Sequence, residues 1–374
     1  MSADERADAA DLRWMGEALA LAKRGLGSTY PNPCVGAIVV RDGVLLGAAH
    51  SAVTGGPHAE VRALRDAGER ARGATVYVTL EPCSHHGRTP PCTDALIAAG
   101  VAEVVFGARD PAPHAAGRAL ALLRAAGVAV REGIERRRCE QVHAHYFHHE
   151  RTRRPFVTLK AATSLDGQIA AATGDSKWIT GVRARRHGHR LRARHHAIAV
   201  GAGTVLADDP SLTVRLVDGT DPVPVIFDSQ LRTLAAPRPP ALLRPGALVL
   251  HTAAASAEAR ASLATTGARG IEVAADPTGR VDVAAALEAL GRVPIRSLLV
   301  EGGGALLASF VAAGLWQRWY LFQAPLLLGA GRPLLPGLAW PTVAQAPHVR
   351  VLGRRRLGED LVTLLAPADG AFVT

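Results

Sequence analysis

Cysteine and aromatic residues are scarce in this sequence. Four cysteines in 374 residues are too few for a disulfide-based scaffold and favour a reducing compartment. Phe, Trp and Tyr together make up 4% of the chain, so few side chains are available for stacking on unpaired nucleotide bases. These shortages argue against a disulfide-rich secreted protein and against a nucleic-acid-binding protein.

Long apolar segments and an export signal are also lacking. No run approaches the roughly 18 uninterrupted apolar residues that a spanning helix needs, because Arg, Gly and Pro interrupt the richest segments. The first residues, MSADERADAADLRW, carry four acidic side chains and lack the basic-then-apolar order of a secretory signal. The sequence therefore predicts a cytoplasmic protein that does not associate with membranes.

The formal net charge is +10, and this excess suits nucleic acid, lipid headgroups or anionic small molecules. The shortage of aromatic residues and the absence of a basic low-complexity tail disfavour nucleic acid. A phosphorylated small molecule is the predicted partner, with neither nucleic acid nor membrane expected.

The chain length predicts two domains, since single cores stop growing beyond about 250–300 residues. Asp11 can cap a first helix, and a turn at Arg41-Asp42-Gly43 predicts a hairpin over residues 35–50. Helical and strand-like segments then alternate, which is typical of parallel sheets covered by helices. Strand-like segments after residue 155 predict that the second domain is also α/β.

The segment 131–154 is rich in charge and histidine and lacks a long apolar stripe. We interpret it as a solvated helix and linker at the domain boundary, in preference to a metal-binding histidine tract. The predicted domains are residues 1–150 and 151–374.

Three potential metal ligands occur at the ends of predicted elements in the first domain. His58 precedes a helix, Cys83 follows a strand, and Cys92 opens the next helix. One imidazole and two thiolates suit tetrahedral zinc and leave a fourth position for water, whose pKa zinc lowers to about 7. Glu60, two residues after His58, is placed to shuttle protons between that water, a ring nitrogen and departing ammonia. The pattern predicts hydrolytic deamination of an aminated pyrimidine-type ring.

Eight residues, SHHGRTPP, separate the two cysteine ligands, whereas the common deaminase signature has two. The longer loop enlarges the rim of the predicted pocket. We assign its His85 and His86 to loop structure, and we assign Cys34 and Cys139 to inert core positions.

Several strings closely resemble the bifunctional deaminase/reductase family of riboflavin biosynthesis. In the first domain these are TYPNPCVGAIV (29–39), HAEVRAL (58–64) and TLEPCSHHGRTPPCTDALIAAGV (79–101). In the second they are KAATSLDGQIA (160–170), GDSKWIT (174–180), TVLADDPSLTVR (204–215) and VEGGGALL (300–307). The resemblance covers nearly the whole chain.

The resemblance implies an N-terminal cytidine-deaminase-like domain of three layers and a C-terminal dihydrofolate-reductase-like domain. It implies deamination of 2,5-diamino-6-ribosylamino-4(3H)-pyrimidinone 5′-phosphate, followed by reduction of the ribosyl group to ribityl. The implied cofactors are Zn²⁺ and NADPH, and the expected assembly is a homo-oligomer.

The resemblance also implies roles for individual residues. His58, Cys83 and Cys92 match the zinc ligands, and Glu60 matches the proton shuttle. The positions that match NADPH-binding residues are Ala162, Trp178, Thr204, Asp208, Ser229, Gly302, Gly303 and Gly304. The positions that match substrate-binding residues are Asn32, Ser176, Arg192, Leu212, Arg215 and Glu301.

Physical chemistry supports part of this assignment. The three glycines follow a predicted strand and open a helix, where backbone amides can approach a phosphate. Arg192 and Arg215 suit bidentate recognition of a phosphate monoester. Three positions depart from the family pattern: Ala112 and Ala116 replace polar and β-branched residues, and Leu326 stands where lysine is common.

A second hypothesis is a monofunctional zinc deaminase acting on a pyrimidine or on tRNA, with an inactive C-terminal domain that serves binding or oligomerisation. The cysteine spacing argues against a tRNA deaminase. Matches at Lys160, Asp166, Trp178, Asp208, Arg215 and Glu301 argue against an inactive second domain.

Overall fold

The computed structural model describes residues 9–87, 89–113, 115 and 117–368, so Ala116 lies outside the described residues. These residues form two compact units, one ending at Thr152 and one beginning at Arg153. Within this part of the chain, none of the helices is both long and apolar enough to cross a bilayer.

The first unit alternates helices and strands around one sheet. Its strands are β1 (Gly36–Arg41), β2 (Val44–His50), β3 (Thr75–Leu80), β4 (Glu103–Ala108) and β5 (Ala129–Glu132). Its helices are α1 (Ala9–Arg24), α2 (Ala59–Ala67), α3 (Cys92–Ala98), α4 (Arg118–Ala125), α5 (Arg136–Val142) and α6 (Ala144–Thr152). The sheet order is β2-β1-β3-β4-β5. β1 is antiparallel to β2 and β3, while β3, β4 and β5 are parallel, which confirms the predicted hairpin.

Two glycines show that helices cover both faces of this sheet. A Cβ on Gly36 would lie 1.9 Å from the Ala18 carbonyl of α1, and a Cβ on Gly47 would lie 2.1 Å from the Ala63 carbonyl of α2. Gly47 pairs with Val39, three residues from Gly36, so the two glycines point to opposite faces. The unit therefore has the predicted three layers, with α1 and α2 on opposite sides.

The first helix differs in detail from the prediction. Ala9 and Ala10 are already helical, so the helix includes residues before the expected cap Asp11. Asp11 is instead buried, and its carboxylate accepts hydrogen bonds from Tyr77 Oη at 2.8 Å and from Arg131. Leu12, the next residue of this helix, is 45% exposed.

The interpretation of residues 131–154 as a solvated helix and linker is wrong for much of the segment. Cys139 of α5 is buried against β4, where a Cβ on Gly107 would lie 2.1 Å from its sulfur. Ala144 and Phe147 of α6 are also buried. Apolar positions spread thinly among charges still form a buried stripe, because α5 packs against a glycine that leaves room for it.

The second unit is larger and is built on a mixed sheet. Its principal strands are β6 (Phe156–Thr163), β7 (Gln168–Ala170), β8 (Ala197–Gly201), β9 (Val223–Phe227), β10 (Leu248–His251), β11 (Arg269–Glu272), β12 (Ser297–Val300), β13 (Arg318–Gln323), β14 (Arg332–Pro333), β15 (Val349–Leu357) and β16 (Asp360–Pro367). Its helices are α7 (Val182–Arg194), α8 (Ala202–Asp208), α9 (Ala257–Thr265), α10 (Val283–Arg292) and α11 (Gly304–Ala312).

The main sheet has the order β11-β10-β9-β8-β12-β6-β13-β16-β15. Neighbours from β11 to β13 are parallel, and β16 and β15 extend the sheet with antiparallel pairing. Alternate residues of β8 belong to separate cores: Ala197 and Ala199 pack with α10 and α11, whereas Ile198 and Val200 pack with α7 and α9. Burial on both faces explains why these strands are continuously apolar.

Candidate active sites

The three predicted metal ligands converge in the first unit. His58 precedes α2, Cys83 follows β3, and Cys92 is the first residue of α3. Their ligand atoms all lie within 4.8 Å of one another, with His58 Nδ1 3.2 Å from Cys92 Sγ and 3.4 Å from Cys83 Sγ. In the described part of the chain this is the one such grouping of His, Cys, Asp or Glu. One nitrogen and two sulfurs at this separation fit zinc with an open fourth position.

Cys83 is held in the form that binds metal. Hydrogen bonding from the Cys92 thiol, and then from His58 and the Cys92 backbone amide, lowers the pKa of Cys83 to about 4. The amide lies 3.2 Å from Cys83 Sγ. The adjacent Cys83 sulfur and burial raise the pKa of Cys92, and the Cys83 contact raises the pKa of His58. The cluster therefore already stabilises one thiolate, which is the ligating species.

Glu60 lies in the first turn of α2 and is 3% exposed. Its Oε2 atom has no hydrogen-bond partner among the described residues. Burial, followed by the charge of Cys83, raises the pKa of Glu60 to about 7. A buried carboxyl group without a full set of partners is costly, and a pKa near neutrality suits a group that both accepts and releases protons.

The other residues that the sequence singled out in the first unit precede the three ligands along the chain or lie between them. Asn32 is exposed, and its backbone amide donates to the Thr29 carbonyl at 2.9 Å. His85 and His86 are exposed in the loop between the two cysteine ligands. Cys34 is buried, and burial raises its pKa to about 11, as expected for an inert thiol.

The sequence interpretation missed a pair of acidic residues beside the metal ligands. Glu81, two residues before Cys83, is buried, and burial raises its pKa. Its Oε2 accepts the backbone N–H of Asp110 at 3.2 Å. Asp110 Oδ1 accepts the N–H of Ala112 at 2.9 Å, so Ala112 contributes its backbone here. The strings LEPC and RDPA carried this signal, since acidic residues precede proline at the carboxyl ends of adjacent strands.

In the second unit, Glu301 follows β12 and pairs with two positively charged side chains. Arg192 of α7 donates from Nε to Glu301 Oε2 at 2.9 Å and makes a second contact through Nη2. Lys160 Nζ of β6 lies 3.7 Å from Glu301 Oε1. Burial opposes ionisation, but the charges of Lys160 and Arg192 lower the pKa of Glu301 overall. The carboxylate is therefore ionised at neutral pH.

The segment that contains Arg215 is bound to α7, the same helix that supplies Arg192. Arg192 Nη1 donates to the Thr213 carbonyl at 3.0 Å, and the Arg215 backbone N–H donates to His189 Nδ1 at 3.0 Å. The exposed Arg215 guanidinium contacts the Ser211 hydroxyl. Leu212, predicted to bind substrate, has its side chain buried in the core and a φ of 52°. The structure thus brings Arg192, Arg215 and Glu301 into one region.

The glycine-rich turn is explained largely by close packing. The Gly303 N–H donates to Thr204 Oγ1 at 2.9 Å, which joins two positions predicted to bind NADPH. A Cβ on Gly304 would lie 2.6 Å from Pro336 Cδ, and a Cβ on Gly302 would lie 3.3 Å from Val200 Cα. The amide of Gly303 is thus bound to Thr204 rather than presented without a partner.

The remaining predicted positions have varied surroundings. Trp178 is 68% exposed, with the Arg185 guanidinium 4.5 Å above its ring. Ser229 Oγ accepts the Val281 N–H at 2.9 Å, and Asp208 is the last residue of α8. Ala162 and Ser176 are half-buried.

Leu326 contributes to a contact between two loops through its backbone. Its carbonyl accepts the Leu165 N–H at 2.8 Å. The Asp166 carboxylate accepts the N–H groups of Leu328 and Gly329 in the same loop. This contact does not require the lysine that is common at position 326.

Family models match both units. The model described as the cytidine and deoxycytidylate deaminase zinc-binding region matches residues 8–108, and the RibD C-terminal domain matches residues 155–363. Together with the converged His and Cys ligands, these matches define a zinc-binding deaminase domain joined to a reductase domain.

Relatives along the whole chain make the assignment specific. The sequence is 42% identical to the riboflavin biosynthesis protein RibD of Escherichia coli K12, over 96% of this chain and 100% of that protein. It is 40% identical to RibD of Bacillus amyloliquefaciens, over 96% of both chains. The solved structure of Acinetobacter baumannii RibD, form 1, is 38% identical with a TM-score of 0.86, covering 96% of this chain and 99% of that one. The chain belongs to the RibD family, as the motif resemblance implied.

Proposed function

We propose that this chain performs two successive reactions of riboflavin biosynthesis, each in its own unit. The first deaminates 2,5-diamino-6-ribosylamino-4(3H)-pyrimidinone 5′-phosphate, and the second uses NADPH to reduce the ribosyl group to ribityl. The observation that carries the proposal is the convergence of His58, Cys83 and Cys92 near the buried Glu60. A related protein from Thermotoga maritima, 34% identical with a TM-score of 0.84, is described as a deaminase and reductase for such substrates.

For deamination, His58, Cys83 and Cys92 would hold zinc, which would lower the pKa of a water molecule to near 7. Glu60 first accepts a proton from the attacking water and passes it to the ring nitrogen, while the water oxygen bonds to the amine-bearing carbon. It then accepts the second proton of that oxygen and passes it to the amino group, which leaves as ammonia when the C–N bond breaks. Burial suits Glu60 to both steps, because it raises the pKa to about 7. Asn32 contacts the substrate ring from the loop after α1.

For reduction, NADPH would supply the hydride. Glu301 holds Arg192 in a fixed orientation, and the exposed guanidinium of Arg215 binds the substrate phosphate with Ser176 and the 211–215 segment. The residues that would hold the cofactor are Ala162, Trp178, Thr204, Asp208, Ser229 and the turn of Gly302, Gly303 and Gly304. Leu212 shapes this region by its backbone, since its side chain is buried.

We assign the deaminase to residues 1–150 and the reductase to residues 151–374. We place the enzyme in the cytoplasm, because its four cysteines are free thiols and a reducing compartment preserves thiolate ligands. Neither nucleic acid nor a membrane is proposed as a partner. A homo-oligomer stays a prediction, which sedimentation of the purified protein tests.

Product identification tests the two activities. Purified protein with zinc, NADPH and the diaminopyrimidinone phosphate should release ammonia and yield the ribityl product. Cys83→Ser should abolish deamination and leave reduction of the supplied deaminated intermediate nearly unchanged. Cys139→Ser, which alters a buried thiol outside the candidate metal ligands, is the control and should retain both activities.

Deamination by the wild-type protein without NADPH oxidation on the supplied intermediate would instead support a monofunctional deaminase. Loss of both activities in a folded Cys83→Ser protein would contradict separate sites.

A further inference from the structure

Helix α6 lies in the segment that the sequence analysis interprets as a solvated helix and linker. Two of its side chains nevertheless make specific contacts with other parts of the first unit. His145 Nδ1 lies 2.6 Å from Tyr30 Oη, and the two rings are stacked with centroids 6.3 Å apart. The next residue, Tyr146, donates from its hydroxyl to Asp110 Oδ1 at 2.9 Å. Consecutive residues of one helix therefore contact segments that lie 80 residues apart in the chain.

The first contact continues to the segment before His58. Thr54 donates from its hydroxyl to the Tyr30 carbonyl at 2.6 Å and to the Thr29 carbonyl at 2.8 Å. Thr54 belongs to the loop between β2 and His58, which closes on itself through the Ala52 N–H and the Pro57 carbonyl at 3.2 Å. The Tyr30 loop, which also contains Asn32, is thus bound on one side to α6 and on the other to the loop that leads to a zinc ligand.

The second contact continues to the segment before Cys83. Asp110 accepts from Tyr146 and from the Ala112 N–H, while its own N–H donates to Glu81 Oε2. Glu81 also donates its backbone N–H to the Ala108 carbonyl at 2.8 Å. Asp110 is 9% exposed, and a buried carboxylate loses more when a hydrogen-bond donor is removed than an exposed one does.

We propose that His145 and Tyr146 are positioning residues for deamination, which hold loops 29–34 and 110–113 in the conformation that binds the pyrimidine. The inference rests on the proposed deaminase function. The two residues act through these loops, to which their side chains bond. Their loss should therefore weaken substrate binding and leave the proton transfers by Glu60 largely intact.

Tyr146→Phe removes one donor and keeps the ring. The expected result is a rise of at least about 3–10-fold in the KM for deamination, because the loss of one hydrogen bond costs that much even between neutral groups and the acceptor here is a carboxylate. The kcat should change by less than about twofold, zinc content should stay at the wild-type level, and reduction of the supplied intermediate should be unaffected.

Tyr77→Phe is the matched control. It also removes a tyrosine hydroxyl that donates to a buried aspartate, since Tyr77 Oη lies 2.8 Å from Asp11 Oδ1. That contact lies on the α1 face of the sheet and joins α1 to β3. Tyr77→Phe should leave the KM unchanged, and an equal rise in both variants would overturn the proposal by showing a general loosening of the unit.

Amide hydrogen exchange tests the proposal without catalysis. In substrate-free protein, Tyr146→Phe should speed exchange of the Asp110 and Ala112 amides, and Tyr30→Phe should speed exchange of the Asn32 amide. Unchanged exchange together with an unchanged KM overturns the positioning role. If the wild-type protein does not deaminate the substrate, the proposed function fails, while the exchange result still decides whether α6 holds the loops.

A double-mutant cycle tests the contact between His145 and Tyr30. Tyr30→Phe and His145→Phe each remove the hydrogen bond and retain an aromatic ring for stacking. Their effects on KM should not add in the double variant, because both remove the same interaction. Fully additive effects would overturn the assignment of the Tyr30–His145 contact as the route to the first loop.

Discussion

Glu301 Oε2 accepts a hydrogen bond from Arg192 Nε at 2.9 Å, so one carboxylate with only 9% of its side chain exposed joins the end of β12 to α7. Lys160 of β6 lies 3.7 Å from the other oxygen. The positive charges of Arg192 and Lys160 are therefore both balanced by the single carboxylate of Glu301. A buried charge left without its partner is strongly destabilising, whereas an exposed one is not.

We expect Glu301→Gln to reduce the kcat/KM of the reductase at least tenfold. The neutral amide leaves Arg192 and Lys160 without a counter-charge, and a hydrogen bond to a charged group contributes roughly 1.5–3 kcal/mol. Steady-state oxidation of NADPH with the deaminated intermediate measures this, and deamination should be retained. Glu288→Gln is the control, because its ion pair with Arg154 is exposed and should contribute under about 1 kcal/mol. Equal loss in both variants would contradict the role of Glu301.

Glu60→Gln should retain zinc and lose deamination. The amide has nearly the shape of the carboxyl group but cannot accept the proton, and general acid–base catalysis contributes about 10²–10⁴-fold. Metal analysis and ammonia release measure the two properties separately. Zinc loss from a folded Glu60→Gln protein would show that Glu60 is a ligand or a structural residue.

Arg215→Lys should weaken binding of the phosphorylated intermediate by about 10–150-fold, which corresponds to roughly 1.5–3 kcal/mol, and should leave NADPH binding nearly unchanged. Lysine retains the charge but cannot hold two phosphate oxygens in a planar fork. Separate titrations of the two ligands measure the difference. Arg186→Lys is the control, since Arg186 is an exposed arginine of α7 that donates to the Leu216 carbonyl at 3.2 Å. If Arg215→Lys weakens both ligands equally, or neither, the phosphate assignment fails.

His143 should make the stability of the first unit depend on pH. It is fully buried with Nε2 3.0 Å from Thr79 Oγ1, and burial lowers its pKa to about 4 from an ordinary value of 6.5. Because the unfolded state binds the proton more readily, the free energy of unfolding should fall as pH decreases from about 6.5 to 4, by roughly 3 kcal/mol.

In His143→Gln, the free energy of unfolding should fall by roughly 3 kcal/mol less than in the wild type between about pH 6.5 and 4. Denaturant unfolding of wild type and variant across the pH range measures the difference in slope, and contributions from the zinc ligands cancel in it. His85→Gln, at an exposed position, should keep the wild-type slope. Identical slopes for all three proteins would contradict the assignment to His143.

Much of this protein follows from local sequence. The hairpin at Arg41-Asp42-Gly43, the alternation of strands and helices, and the ligands His58, Cys83 and Cys92 are all recognisable, because turn chemistry and ligand spacing act over a few residues. The prediction that Asp11 caps the first helix is wrong because its role depends on distant residues. A helix-capping pattern is local, but the partners of Asp11 are Tyr77 and Arg131, which only the sheet brings near.

By itself, the sequence determined the two α/β domains, the candidate zinc ligands and the resemblance along nearly the whole chain. Only the tertiary structure decided that Glu60 is buried with a pKa of about 7, that Arg192 is bound to Glu301, and that α6 contacts two loops beside the zinc ligands. The physical reason is that burial and long-range pairing set these properties. The types and spacing of residues indicate which chemistry is available. The desolvation of a carboxyl group and the partner of a charged side chain depend instead on helices and strands from distant parts of the chain that pack against them.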